Sequence, residues 1–140
     1  MRGAQMMSYE EWRARIIEAA QKIASREFQE QAWLSGAKFV SSPDELYQIM
    51  MEDTTPDLFF ETYGKNFTGR QLQRWNDFRS QLEHYYDRMP AHPDLRRVLE
   101  DPEWDLVRQA AEKFVQALEE ETDNPEKNDG NGGQRPVDKR

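Results

Sequence analysis

No cysteine occurs in the 140 residues, which excludes disulfides, thiol nucleophiles and every cysteine-bearing metal site. No stretch approaches the roughly 18 consecutive apolar residues of a membrane span, and no short apolar segment follows a basic start as in a secretory signal. Histidine is nearly absent as well. His84 and His92 stand eight apart with Pro90 between them, and neither has a partner at the spacing that metal binding on a helix needs. The chain also lacks a Gly-x-Ser-x-Gly elbow, and its glycine cluster at 130–133 has no Lys-Ser/Thr and no helix after it. The carboxylate pairs Glu52–Asp53 and Asp57/Glu61 follow neither the calcium-loop spacing nor a Glu-x-x-His pattern. These absences lead us to expect a soluble, cytoplasmic, non-enzymatic protein with no cofactor and no metal.

What is present is charge and aromatic surface. Hydrophobic residues make up 36% of the chain and charged residues 33%, with a net charge of −8 and a mean hydropathy of −1.05. That balance leans towards disorder, but 11% aromatic residues argue the other way. All sixteen aromatics lie between Tyr9 and Phe114, so the core is expected there.

The apolar residues recur at helical spacing throughout. Residues 1–7 read as a flexible start, with Met7 an equally good first residue. Ser8 to Glu11 has the capping-box spacing, and Trp12, Ile16, Ala20, Ile23, Ala24, Phe28, Ala32 and Trp33 then recur every three or four residues up to Gly36. This predicts a helix over about 8–34, bent near Ser25. Lys38 to Ser41 reads as an extended linker. Ser42-Pro43-Asp44-Glu45 starts a short helix ending near Met51, and Thr55-Pro56-Asp57 starts another that stops at Gly64. Thr68 to Gln71 opens a long helix over about 69–89 with the seam Leu72, Trp75, Phe78, Leu82, Tyr85 and Met89. Pro90 and Pro93 end it, Asp94 to Leu99 forms a short helical turn, and a last helix over about 102–118 buries Trp104, Val107, Ala111, Phe114 and Leu118. From Glu119 to Arg140 only Val137 is apolar, which predicts a disordered acidic tail. The expected fold is all-α: one helical bundle over 8–118, with three long helices and two or three short ones.

The charge is unevenly placed. From Phe39 to Gly64 there are six acids (Asp44, Glu45, Glu52, Asp53, Asp57, Glu61) and no base, whereas Lys65 to Leu99 holds seven bases and four acids. Part of the acidic block complements the positive ends of its own helices, at about 0.3–1 kcal/mol each. Glu52, Asp53 and Glu61 do not fit that account, and an unbalanced acidic surface speeds association with basic partners. It also argues against contact with DNA phosphates or an anionic membrane. The bases Arg70, Arg74, Arg79, Arg88, Arg96 and Arg97 are interleaved with acids, the pattern of a solvated face.

Trp33-Leu34, Ser42-Pro43-Asp44-Glu45-Leu46, Met51-Glu52-Asp53 and Leu58-Phe59-Phe60-Glu61 together resemble segments of small helical immunity proteins from bacterial contact-dependent inhibition and related polymorphic toxin systems. The resemblance spans residues 33–63 and implies a cytoplasmic protein that binds a cognate toxin domain and blocks it. It transfers no individual contact residue. The charge map by itself names Asp44, Glu45, Glu52, Asp53, Asp57 and Glu61 as partner contacts, with Tyr47 and Tyr63 as exposed aromatic anchors. Two other readings stay open: an oligomeric structural or scaffolding component of a phage or multiprotein assembly, and a small helical nucleic-acid-associated regulator.

Overall fold

Side chains that accept backbone N–H groups set most of the helix starts. In the computed structural model, which describes residues 7–34 and 41–122 and side chains as far as Glu119, helix α1 runs Tyr9–Ala24. Ser8 Oγ accepts from the Glu11 N–H at 3.0 Å and Glu11 Oε1 accepts from the Ser8 N–H at 3.2 Å, so the expected capping box forms in full. The same reciprocal pair, Thr68 with Gln71, opens α5 (Gly69–Arg88). At α3 (Pro43–Gln48) only half of the expected box forms: Ser42 Oγ accepts from the Glu45 N–H at 3.0 Å. Asp94 caps α6 (Leu95–Glu100), and Asp101 Oδ1 accepts from the Glu103 N–H at the start of α7 (Pro102–Thr122).

The helix expected over 8–34 is two helices. Ser25 is extended (φ −96°, ψ 104°), ending α1, and its Oγ accepts the Phe28 N–H at 3.0 Å, starting α2 (Arg26–Leu34). A serine satisfies an orphan donor in this way, so the apolar spacing continues while the axis turns. The turn frees carbonyls at the end of α1, and Gln29 fills them: its Nε2 donates to Lys22 O at 3.0 Å and to Ile23 O at 2.7 Å. Its Oε1 accepts from Trp104 Nε1 at 3.0 Å and from Arg108 Nη1 at 3.4 Å. Gln29 is fully buried, and this one amide joins α1, α2 and α7.

Between α3 and α4 (Pro56–Tyr63) lies a π-helical turn, Ile49–Asp53, in which the Thr54 N–H donates to Ile49 O. The extra residue keeps Met50 fully buried and turns Glu52 and Asp53 to solvent. Thr55 does not cap α4 with its side chain. Its backbone is left-handed (φ 44°, ψ 60°), and its hydroxyl donates to Thr54 O. Gly64 likewise does not end α4 in a left-handed conformation but carries it into a 3₁₀ turn, Gly64–Asn66.

Helix α7 is the centre of the bundle. It packs against α1 on one side and α5 on the other, with α6 at its start and α2 lying on α6. Trp104, Val107, Ala111, Phe114 and Leu118 are all buried, as their spacing requires. In α5, Trp75, Phe78 and Leu82 are buried, while Leu72, Tyr85 and Met89 lie at the margin. One aromatic cluster, Tyr9, Trp12, Phe59, Tyr63 and Phe67, joins through Phe60 to Trp75, Phe78 and Phe114. The α7 helix passes the expected boundary at Leu118 and continues to Thr122. The remainder of the expected tail, the start at 1–6, and the Gly36 stop and most of the linker lie outside the described residues. The described residues form α-helices, a π turn and a 3₁₀ turn and no strand.

Candidate functional site

The acidic block lies on α3, the π turn and α4, and the fold sets these beside one face of α5. Tyr47 from α3 and Tyr86 from α5 stack with ring centroids 3.8 Å apart and planes 5° from parallel. The Tyr86 hydroxyl approaches the Asp44 carboxylate, which accepts from Gln48 Nε2 at 3.4 Å. The nearby Asp44 acceptor, then burial and the Asp44 charge, raise the Tyr86 hydroxyl above the ordinary tyrosine range. Burial comes first in raising Tyr47, followed by the negative charges of Glu83, Asp87 and Glu52, with Arg79 opposing them. Asp57 on α4 lies 3.3 Å from Arg79 Nε, which is also 3.6 Å from Glu83. The two contacts are electrostatic, since the Arg79 Nε–H makes no well-aligned hydrogen bond. Four carboxylates (Asp44, Glu52, Glu83, Asp87) therefore act on the tyrosine pair, and Asp57 joins the same face through Arg79.

The fold treats the eight expected contact residues differently. Asp44 is committed to Tyr86 and Asp57 to Arg79, and Glu45 is half-buried with its N–H used in the Ser42 cap. Glu52, Asp53 and Glu61 are exposed and have no cation within salt-bridge distance among the described residues. Glu61 stands one turn from Asp57 on α4. Tyr47 and Tyr63 are not free-standing. Both are half-buried, Tyr47 against Tyr86 and Tyr63 edge-on to Tyr9 at 4.9 Å and to Trp12 at 6.2 Å. Sequence reasoning missed Glu83, Asp87 and Tyr86, because they belong to a segment whose charge sum is positive. Their i, i+3 and i, i+4 spacing along α5 was the available signal.

The other polar groups spread out. Among the bases of the 65–99 segment, Arg79 faces Asp57 and Glu83, Arg88 pairs with Glu103 at 3.0 Å, and Arg97 lies 3.8 Å from Asp94. His84 and His92 are exposed, and Arg88 Nη1 donates to His84 Nε2 at 3.0 Å. Among the described residues no group of three or more His, Cys, Asp or Glu side chains is placed to hold a metal ion. A groove of about 320 Å³ between α5 and α7 is lined by Arg74, Asp77, Leu106 and Lys113. A second of about 260 Å³, lined by Tyr85, Arg88, Pro90, Arg97 and Glu103, lies near the α6 end. Both are mixed in charge. No described helix is long and apolar enough to cross a membrane. Comparison with protein-family models, with curated proteins and with solved structures returns no match for this chain.

Proposed function

We propose that the protein is a non-enzymatic binding protein, an immunity-type inhibitor that docks a basic toxin or nuclease domain through its α3–α4–α5 face. The observation that carries this reading is the convergence of four carboxylates from α3, the π turn and α5 on a stacked tyrosine pair, with Arg79 beside them and Asp57 held by it. Such a face speeds encounter with a positively charged partner and repels polyanions. A nuclease needs a basic surface to hold its substrate, so a protein covering that surface competes directly with the nucleic acid.

The test begins with affinity capture from the cells that make the protein, at low and at moderate salt. The captured basic domain is then purified and its association followed by stopped flow against the native chain and the triple reversal Glu52→Lys, Glu83→Lys, Asp87→Lys. The expected result is an association rate at least about tenfold slower at low salt, with a flattened salt dependence. Loss of the partner's activity on adding the native chain completes the case for an inhibitor. An association rate indifferent to the triple reversal refutes the docking face.

A further inference from the structure

We infer that the Tyr47–Tyr86 pair is the anchor of this face and takes an arginine side chain of the basic partner; the inference rests on the docking reading above. Each ring covers one face of the other, so the exposure left to these two half-buried residues lies on their outer faces and edges. The platform is fixed before anything binds. The rings lie 3.8 Å apart and nearly parallel, and the small hollow beneath them, lined by Pro43, Leu82 and Trp104, has no room for a water. A rigid aromatic surface on a packed support loses little freedom on binding, the property of interface anchors.

The surroundings select among cations. Glu83 stands one turn before Tyr86 on α5 and Asp87 directly after it, while Glu52 approaches Tyr47 from the π turn. A guanidinium lays its flat face on a ring and offers N–H groups from its edge to carboxylates at the same time. A lysine ammonium is compact and strongly hydrated, and it satisfies one of these demands at a time. Arg79 supplies an internal precedent, since its guanidinium already lies between Asp57 and Glu83 on this face.

Two fluorescein-labelled nonapeptides of alternating glycine and base, one with arginine and one with lysine, test the assignment by anisotropy against the full chain at low ionic strength. The arginine peptide is expected to bind about fivefold more tightly. Tyr86→Phe keeps that preference, and Tyr86→Leu abolishes it. Asp53→Asn with Glu61→Gln, two exposed acids away from the rings, weakens both peptides by the same factor. The pair Glu83→Gln, Asp87→Asn leaves the rings and their support in place and reduces the preference, so the test stands even if Tyr86→Leu loses its helical circular dichroism. Equal affinity of the two peptides for the native chain, or a preference that survives Tyr86→Leu, overturns the anchor alone. Failure of both peptides to bind overturns the anchor and the docking face together.

Discussion

Replacing Gln29 with alanine removes a side chain that three helices share. The amide makes four hydrogen bonds, two to the α1 carbonyls of Lys22 and Ile23 and two from Trp104 and Arg108. In Gln29→Ala the Trp104 N–H and the Ile23 carbonyl lose their partner in the interior, and the Lys22 carbonyl loses its partner at a part-buried position. A buried polar group without a partner costs about 1–3 kcal/mol, and the vacated space adds a cavity term. Taking the lower end for each group, the expected loss is about 3–5 kcal/mol, a large part of the roughly 5–15 kcal/mol that holds a domain folded. For the 110 described residues this corresponds to a fall in Tm of about 13–22 °C. Urea denaturation followed by far-ultraviolet circular dichroism measures the difference directly. Gln29→Leu separates the two causes, because leucine restores volume but none of the hydrogen bonds. It is expected to recover only the cavity part and to stay at least about 2 kcal/mol below the native chain. A leucine variant as stable as the native protein would refute the hydrogen-bonding account and make residue 29 a matter of packing alone.

Two further outcomes follow from local geometry. Thr55→Gly should raise stability by about 0.5 kcal/mol, since the left-handed backbone costs a side-chain-bearing residue about 1–2 kcal/mol and glycine's freedom in the unfolded chain offsets part of that; a lower Tm for Thr55→Gly contradicts this. Asp105 accepts from Arg108 Nη2 at 2.8 Å and Gln109 Nε2 at 2.9 Å, and these bonds, Arg108 first, hold its carboxyl below the ordinary 3.8. Its folded pKa is thus below its unfolded one, so its contribution is present above pH 3.8 and is lost as pH falls through the lower folded value. Asp105→Asn should flatten that acid limb in urea titrations at stepped pH, and an unchanged limb counts against the pairing.

Helix existence was legible because it depends on neighbours in sequence. Ser8 with Glu11 and Thr68 with Gln71 announce their helices three residues apart, and the apolar faces of α5 and α7 repeat every three or four residues. Three features depend on partners elsewhere in the chain. The break at Ser25 leaves the apolar period intact, and the residue that makes it tolerable, Gln29, works through Trp104, 75 positions away. The π turn and the left-handed Thr55 fit a junction that Trp12 secures from α1, donating its Nε1–H to Thr54 O at 2.6 Å. On the candidate face, a count of charge along the chain found Asp44, Glu52 and Asp57. It placed Glu83 and Asp87 with the bases, although the fold turns those two acids towards Tyr47.

The central position of α7 bears on how the protein is made. Arg13 Nη2 donates to Leu118 O at 3.0 Å across 105 positions, and Gln71 Nε2 donates to Ala117 O at 3.1 Å across 46. Of the seven described α-helices, the one that both flanking helices grip is therefore the last to be synthesised. Until it leaves the ribosome, the apolar faces of α1 and α5 that pack on it have nothing to cover them, and the nascent chain depends on its charge to keep them from meeting other chains.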